Sequence, residues 1–445
     1  MKKNKALWLS VFIWGSGQFI VCRQRLKGLL FLGIQLFMIC IELFSGYWLE
    51  YAKGLIPDFS IRLHGGFFTK GIWGLITLGV KTGVKYGDHS TMLLIQGVIS
   101  LLVLGLFTAA YLWNVMDAYK TGQQIDKTSE YITSKDYFKQ FLSKNFAYIV
   151  LLPIGIVFLF IVVMPIVFSV LTAFLNYNRD HLPPGHLLDW VGFSNFRKLF
   201  LVPIWSQTFL KVLIWTVAWT LAGTLSTYFF GMVQALILNH PSVHGKSIFR
   251  TILILPWAIP QMVSLLVFRN LLNGQFGPLN QILLKLDLIP ANIPFLSDPV
   301  IAKITIVAVN LWLGFPVFMV MMLGVLANLD QSLFEAAAID GAGSFQCFRK
   351  ITLPLVFQAT SANLIMSMAG NFNAFGSIYF LTQGGPNNAD MQFAGSTDIL
   401  ISWIYKLTLN QQMYDIAAVM SVLLFAMVGA VSFWNFKRTV SFKEL

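Results

Sequence analysis

Two short stretches place hydrogen-bonding side chains inside otherwise apolar sequence. Asn310, Gly314 and Val317 recur at i, i+4 and i+7 and so share one helical face, with Leu313 beside them. Ser367, Asn371 and Ala374 repeat that spacing, with Gly370 adjacent. An amide and a hydroxyl both donate and accept, which suits the hydroxyls of a sugar. The rings of Phe375 and Tyr379 are placed to stack on the apolar face of a pyranose. Gly314 leaves room for a ligand, and Pro316 loosens the backbone bonding nearby. The residues alone equally allow a second use. Asn310, Ser367 and Asn371 can serve as hydrogen bonds between helices, with Gly314 and Gly370 as packing notches.

Residues for bond-making chemistry are missing from the pattern. No G-x-x-x-x-G-K-[ST] loop, H-E-x-x-H or C-x-x-C occurs, so neither a phosphate cradle nor a zinc site of those types is expected. Cys22, Cys40 and Cys347 have no paired spacing. The six histidines are scattered, His181 and His186 among them. No catalytic residue and no metal ligand is therefore assigned. Glu42 is a lone acid in an apolar run, expected near the edge of a span with its carboxyl neutral or reaching for water.

A different kind of work is written between residues 328 and 355. Ser332 and Glu335 have capping-box spacing, which predicts a helix from Leu333. Ala336, Ala337 and Ala338 keep it thin and strongly helical. Gly341 and Gly343 break it after Asp340. Phe345 and Phe348, three apart, are expected to share a face. Pro354 suits the first turn of the next span. The product is a helix-turn-helix knob between two long apolar segments, fit to receive force from a soluble partner.

The elements that carry these residues belong to a membrane. Hydrophobic residues make up 56% of the chain and charged residues 11%, with a mean hydropathy of +0.70. The expected fold is an all-α polytopic membrane protein with about eight spans, since a spanning chain must satisfy its backbone internally. The spans fall near 29–49, 91–115, 146–174, 208–238, 250–270, 301–326, 356–380 and 414–436. The net charge of +12 is read as topology rather than nucleic-acid binding. Lysine and arginine are in excess on the side holding both termini, which places the termini in the cytosol. Lys53, Arg62, Lys70, Lys81 and Lys85 run against that bias. Residues 7–21 are flanked by Lys2, Lys3, Lys5, Arg23, Arg25 and Lys27 and lack a cleavage site. They fit an interfacial amphipathic helix, with spanning as the alternative. The apolar patch 71–80 is too short to span and fits the interface. Three regions result: 1–116 with two spans, a polar cytosolic linker at 117–145, and a six-span core at 146–445.

The run Glu335-Ala336-Ala337-x3-Gly341-x9-Ile351-x-Leu353-Pro354 is similar to the EAA signature of permease subunits of ABC importers. The two-plus-six arrangement resembles the larger permease of maltose/maltodextrin-type importers. The segment 190–196 and the turn Gly384-Gly385-Pro386 also match that family. The resemblance implies a type I permease core whose loop docks on an ATP-binding subunit through Glu335, Ala336, Ala337, Asp340, Gly341, Phe345 and Phe348. It implies a mid-membrane sugar site at Asn310, Leu313, Gly314, Ser367, Gly370 and Asn371. Ala374 departs, because the family carries an asparagine there. The large external domain that Gram-negative maltose permeases insert is reduced here to about 176–207. The implied partners are a second permease, two ATPase copies holding ATP and magnesium, an extracellular sugar-binding protein, an oligosaccharide and the bacterial cell membrane. No cofactor on this chain and no nucleic acid are implied. Maltodextrin is the expected sugar, with galacto-oligosaccharide, cyclodextrin or multiple sugars as alternatives. An ion-coupled carrier would need in-span ion ligands and often an inverted repeat, and a membrane glycosyltransferase an acidic cluster; neither pattern is present.

Overall fold

The computed structural model describes residues 2–44, 66–81, 88–131 and 133–438. These residues are almost wholly helical; isolated β-bridges join Leu175 to Trp190 and Asn387 to Gly395. The chain divides into two compact units, Met1–Gly192 and Phe193–Leu445.

In the first unit a short helix, α1 (Lys2–Phe12), turns back into α2 (Arg25–Phe44). With 11 residues α1 rises only ~16 Å, half of a hydrocarbon core, so it does not span. Its exposed Trp8 and Phe12 give it the apolar side of an interfacial helix. The reversal needs glycine: a Cβ on Gly15, held at φ +79°, would collide with the Gly28 carbonyl. Next come α3 (Phe67–Thr77), α4 (Ser90–Thr128) and α5 (Ser134–Thr172). The apolar patch at 71–80 falls largely on α3, which lies against α4; a Cβ on Gly71 would strike the Ser100 side chain. Glu42 is engaged by α3 rather than reaching for water. Its carboxylate accepts the Phe68 N–H at 2.7 Å and the Thr69 hydroxyl, capping the start of α3.

The stretch 117–145 differs from a solvated linker. Helix covers most of it, and Asp117 is buried. Its carboxylate pairs with Lys27 at 2.6 Å and accepts the Tyr137 hydroxyl at 3.0 Å and the Gln18 amide at 3.2 Å. The Lys27 ammonium also sits 3.3 Å from the centre of the Tyr137 ring. Polar residues that read as loop are thus the clamp holding α2, α4 and α5 together.

In the second unit α6 (Ser194–Leu201) leads into the long α7 (Pro203–Asn239). The segment predicted as one span at 250–270 is instead two helices, α8 (Lys246–Ala258) and α9 (Gln261–Leu271), bent by 88°. Pro256 and Pro260 bracket the break, because each removes a backbone donor from the helix. After α10 (Pro278–Lys285) come α11 (Pro299–Ala327), α12 (Gln331–Ile339) and α13 (Ser344–Phe372). Then follow α14 (Phe375–Thr382), α15 (Leu400–Tyr405) and α16 (Tyr414–Arg438). The core is the crossing of α7 with α11. A Cβ on Gly231 would lie 2.9 Å from the Phe315 carbonyl oxygen, so only glycine admits this approach. Tyr228, Phe318, Met319, Met322, Val356 and Leu364 fill the space around it. Buried threonines on α7 bond back along their own helix, Thr216 to the Val212 carbonyl and Thr220 to that of Thr216, both at 2.7 Å. Six helices among the described residues are long and apolar enough to span, and the bent pair makes a seventh. The final expected span falls on α16, whose apolar part ends at Ala430.

The buried ion pair yields a test. Lys27→Met leaves the buried Asp117 carboxylate without its cationic partner and should cost about 3–5 kcal/mol, read as a lower unfolding midpoint in detergent. Lys27→Met with Asp117→Leu should recover most of the loss.

Candidate functional site

Asn310 on α11 is 9% exposed and donates its amide N–H to the Gly223 carbonyl at 3.3 Å. Asn371, near the end of α13, donates to the Thr224 hydroxyl oxygen at 2.8 Å. The Trp219 indole N–H holds the Asn371 backbone carbonyl at 2.9 Å. A Cβ on Gly223 would stand 3.1 Å from the Asn310 Nδ2 and 3.7 Å from the Asn371 amide. Two amides from two helices thus converge on one bare position of a third.

Beside them opens a cavity of about 420 Å³, lined by Asn310, Leu313 and Gly314 and by 256–261 at the helix break. Its volume is in the range of small-ligand sites, about 300–1,000 Å³. Trp257 offers a ring and Gln261 an amide; Gln261 also donates to the Ser377 hydroxyl at 3.1 Å. Irregular backbone within a bundle persists where it lines a cavity. Trp257 and Gln261 were not among the residues picked out by helical spacing. Their signal is the Pro-x-x-x-Pro interruption of an apolar run.

Of the expected six residues, Asn310, Leu313 and Gly314 line the cavity, and Asn371 meets Asn310 at Gly223. Ser367 is half-buried and outside the lining; Gly370 is exposed with open space beside it. The face Ser367/Asn371/Ala374 does not survive, because the helix ends at Phe372 and Ala374 takes φ −76°, ψ 60°. Gly314 is also a notch, since a Cβ there would lie 2.8 Å from a Thr227 methyl. Gly314 thus lines the cavity and packs against α7 at once.

The knob between α11 and α13 differs in detail from its expected form. Its helix α12 is capped by Asp330, whose carboxylate accepts the Ser332 N–H at 2.9 Å. That bond holds the Asp330 carboxyl below its ordinary pKa range. Ser332 and Glu335 form no box, because the cap lies two residues earlier. Gly341 takes φ +76° and turns the chain; Gly343, in extended backbone, starts the next helix. Glu335, Ala336, Asp340 and Gly341 are exposed, and Ala337 is half-buried. Phe345 is 72% exposed, whereas Phe348 packs against the core around Met322. Three helical residues leave about 60° between two side chains, enough to divide the pair between outside and inside. Ile339, 87% exposed, is a further apolar residue on the surface of the knob, as is Leu333. A wide π turn at Phe348–Thr352 precedes Pro354, whose ring nitrogen donates no hydrogen bond.

A broken helix at a polar mid-bundle cavity and an exposed knob in a polytopic helical protein define a membrane permease. Residues 227–440 match the family described as binding-protein-dependent transport system inner membrane component. The chain is 39% identical to the galactooligosaccharides transport system permease protein GanP of Bacillus subtilis, over 89% of this chain and 94% of that one. It is 37% identical to the maltodextrin transport system permease protein MdxF of the same organism, over 99% and 97%. Identity to the maltose/maltodextrin permease MalF of Escherichia coli K12 is also 37%, over 60% of this chain and 52% of MalF. A solved bacterial ABC transporter importing alginate shares the fold, with a TM-score of 0.56 at 22% identity over 68% of this chain and 99% of that one. The chain belongs to the permeases of binding-protein-dependent ABC importers.

Gly223→Val would force side-chain bulk between Asn310 and Asn371. Overpacking of this kind costs about 1–3 kcal/mol, so transport by the assembled importer should fall roughly tenfold or more while the chain still inserts. Thr224→Val removes the partner of the Asn371 amide and should lower thermal stability by about 1–3 kcal/mol.

Proposed function

We propose that this chain is the larger permease subunit of an ATP-driven importer of oligosaccharides, with maltodextrin as its substrate class. The observation that carries the reading is the pairing of Asn310 and Asn371 at Gly223 beside a 420 Å³ cavity with an aromatic wall. Neutral amides and rings without a charged lining group match a neutral, hydroxyl-rich ligand. Asn310, Leu313, Gly314 and Asn371 hold the sugar, joined by Trp257 and Gln261. Ser367 and Gly370 reach it only if α13 moves. The amides are spent on α7 in this conformation, so sugar must displace those bonds, which gives the conformations different affinities for ligand.

The knob docks on an ATPase through Ile339 and Phe345, with Glu335, Asp340 and the turn at Gly341 setting its shape. This chain is not an enzyme. Two ATPase copies bind ATP and magnesium; a second permease completes the pathway, and an extracellular binding protein delivers the sugar. Both termini face the cytosol, in keeping with the basic residues gathered there. Identity to GanP favours one second reading, a galacto-oligosaccharide.

Vesicles holding the assembled importer, with ATP on the ATPase side and binding protein on the other, should accumulate labelled maltotriose. Uptake without ATP would overturn the reading, and strong preference for a galactose trimer would select the second. Asn371→Leu should cut uptake while leaving assembly intact. Gly341→Pro should separate ATP hydrolysis from uptake, seen as hydrolysis that no longer responds to loaded binding protein.

A further inference from the structure

A second cavity of about 290 Å³ lies at the end of the second unit reached by α14, past the far end of α13 from the knob. It is lined by Asn387, Asn388, Met391, Phe393, Ala394, Lys406, Asn410 and Gln411. Its size is near the lower limit of small-ligand sites, about 300 Å³. We propose that it is a carbohydrate-binding vestibule, a subsite that holds a neutral oligosaccharide before it enters the mid-bundle site. This rests on the importer reading, which puts the knob in the cytosol and this cavity outside.

Three observations carry it. The first is chemistry. Four amides line one small space, and those of Asn387, Asn410 and Gln411 make no side-chain hydrogen bond among the described residues. Asn388 spends only its oxygen, which accepts the Asp390 N–H at 3.0 Å. Amides left free to donate and accept are the groups that read sugar hydroxyls. The charge is cancelled: the Lys406 ammonium lies 2.5 Å from the buried Asp398 carboxylate. A neutral ligand fits such a lining better than an anion or a cation.

The second is rigidity. The loop behind the cavity is pinned at many points, so its amides are held in place before any ligand arrives. Asp398 accepts the Gly395 N–H at 2.7 Å and the Ser402 hydroxyl at 2.8 Å. The Trp403 indole donates to the Gln392 carbonyl at 2.9 Å, and the Gln392 N–H to the Thr208 hydroxyl at 2.8 Å. Gly384, at φ +74°, passes so close that a Cβ would collide with Asp398. Phe393, which is not glycine, is held at φ +57° with its ring partly exposed at the cavity. That conformation costs free energy and persists where the surroundings impose it.

The third is continuity. Phe375, Tyr379 and Tyr405 form an aromatic triad with ring centres 4.8–4.9 Å apart. Phe375 follows Asn371 by one helical turn's length of chain, and Tyr405 precedes the cavity residue Lys406. Ring faces bind the apolar side of a sugar without fixing its position, and the triad is joined through the chain to Asn371 on one side and to Lys406 on the other.

The test uses the assembled importer in lipid nanodiscs. Asn410→Cys is placed in a chain with Cys22, Cys40 and Cys347 changed to Ala, and alkylation by a membrane-impermeant maleimide is timed without binding protein. Maltotriose should slow the reaction several-fold, and adding Asn371→Leu should leave that protection in place. In the otherwise natural chain, Gln411→Leu should raise the half-saturating concentration for uptake about fivefold, the change made by one net hydrogen bond, with little effect on maximal rate. Absence of both effects, in vesicles that do take up maltotriose, would overturn the vestibule and leave the importer reading standing. Protection by sugar-free binding protein but not by sugar would also overturn it, making the cavity a protein-docking face.

Discussion

The hydrocarbon of a membrane offers no water to a stranded amide, and the second unit is organised around that constraint. Asn310 and Asn371 can sit deep in the bundle only because α7 presents a carbonyl at Gly223 and a hydroxyl at Thr224. Those acceptors are within reach only because Gly223 and Gly231 let α11 approach closely. The crossing places Gly314 both against Thr227 and at the cavity, so the packing contact and the cavity lining share the same few atoms. The bent pair α8 and α9 then supplies the remaining wall.

The first unit meets the same constraint with charges. Lys27 and Asp117 are both nearly inaccessible, and each has further partners in Gln24, Gln18 and Tyr137. A buried pair of this kind fixes geometry more than it adds stability, because desolvation cancels much of the attraction. Here it sets the register of α2 against α4 and α5. Asn114 extends the network by accepting the Gly15 N–H at 2.9 Å and donating to the Ser10 carbonyl at 2.9 Å.

Much of this was legible in the residues. Long apolar runs and isolated in-span amides give the class, most of the spans and the residues Asn310, Leu313 and Gly314 that line the cavity. The glycine at 341 and the alanines before it give the knob. What was not legible depends on contacts between distant segments. Polarity marks 117–145 as a surface, yet Asp117 is inside because Lys27, far away in sequence, meets it. Helical periodicity carries Ala374 onto the face of Asn371, yet the backbone leaves the helix after Phe372. Hydropathy averages over Pro256 and Pro260 and misses the bend that exposes Trp257 and Gln261. Spacing pairs Phe345 with Phe348, but the core claims one of them.

The wide turn at Phe348–Thr352 joins the exposed knob to the helix that bears Asn371. Such a turn carries one residue more than the regular helix around it. Each residue of an α-helix accounts for about 100° of azimuth. Loss of a single amino acid there would relax the coil locally, yet swing Ile339 and Phe345 by roughly that angle about the axis of α13. Indels at this locus are therefore changes of aim rather than of length, and the phase between Ile339 and Phe345 on one side and Asn371 on the other is set by five residues of chain.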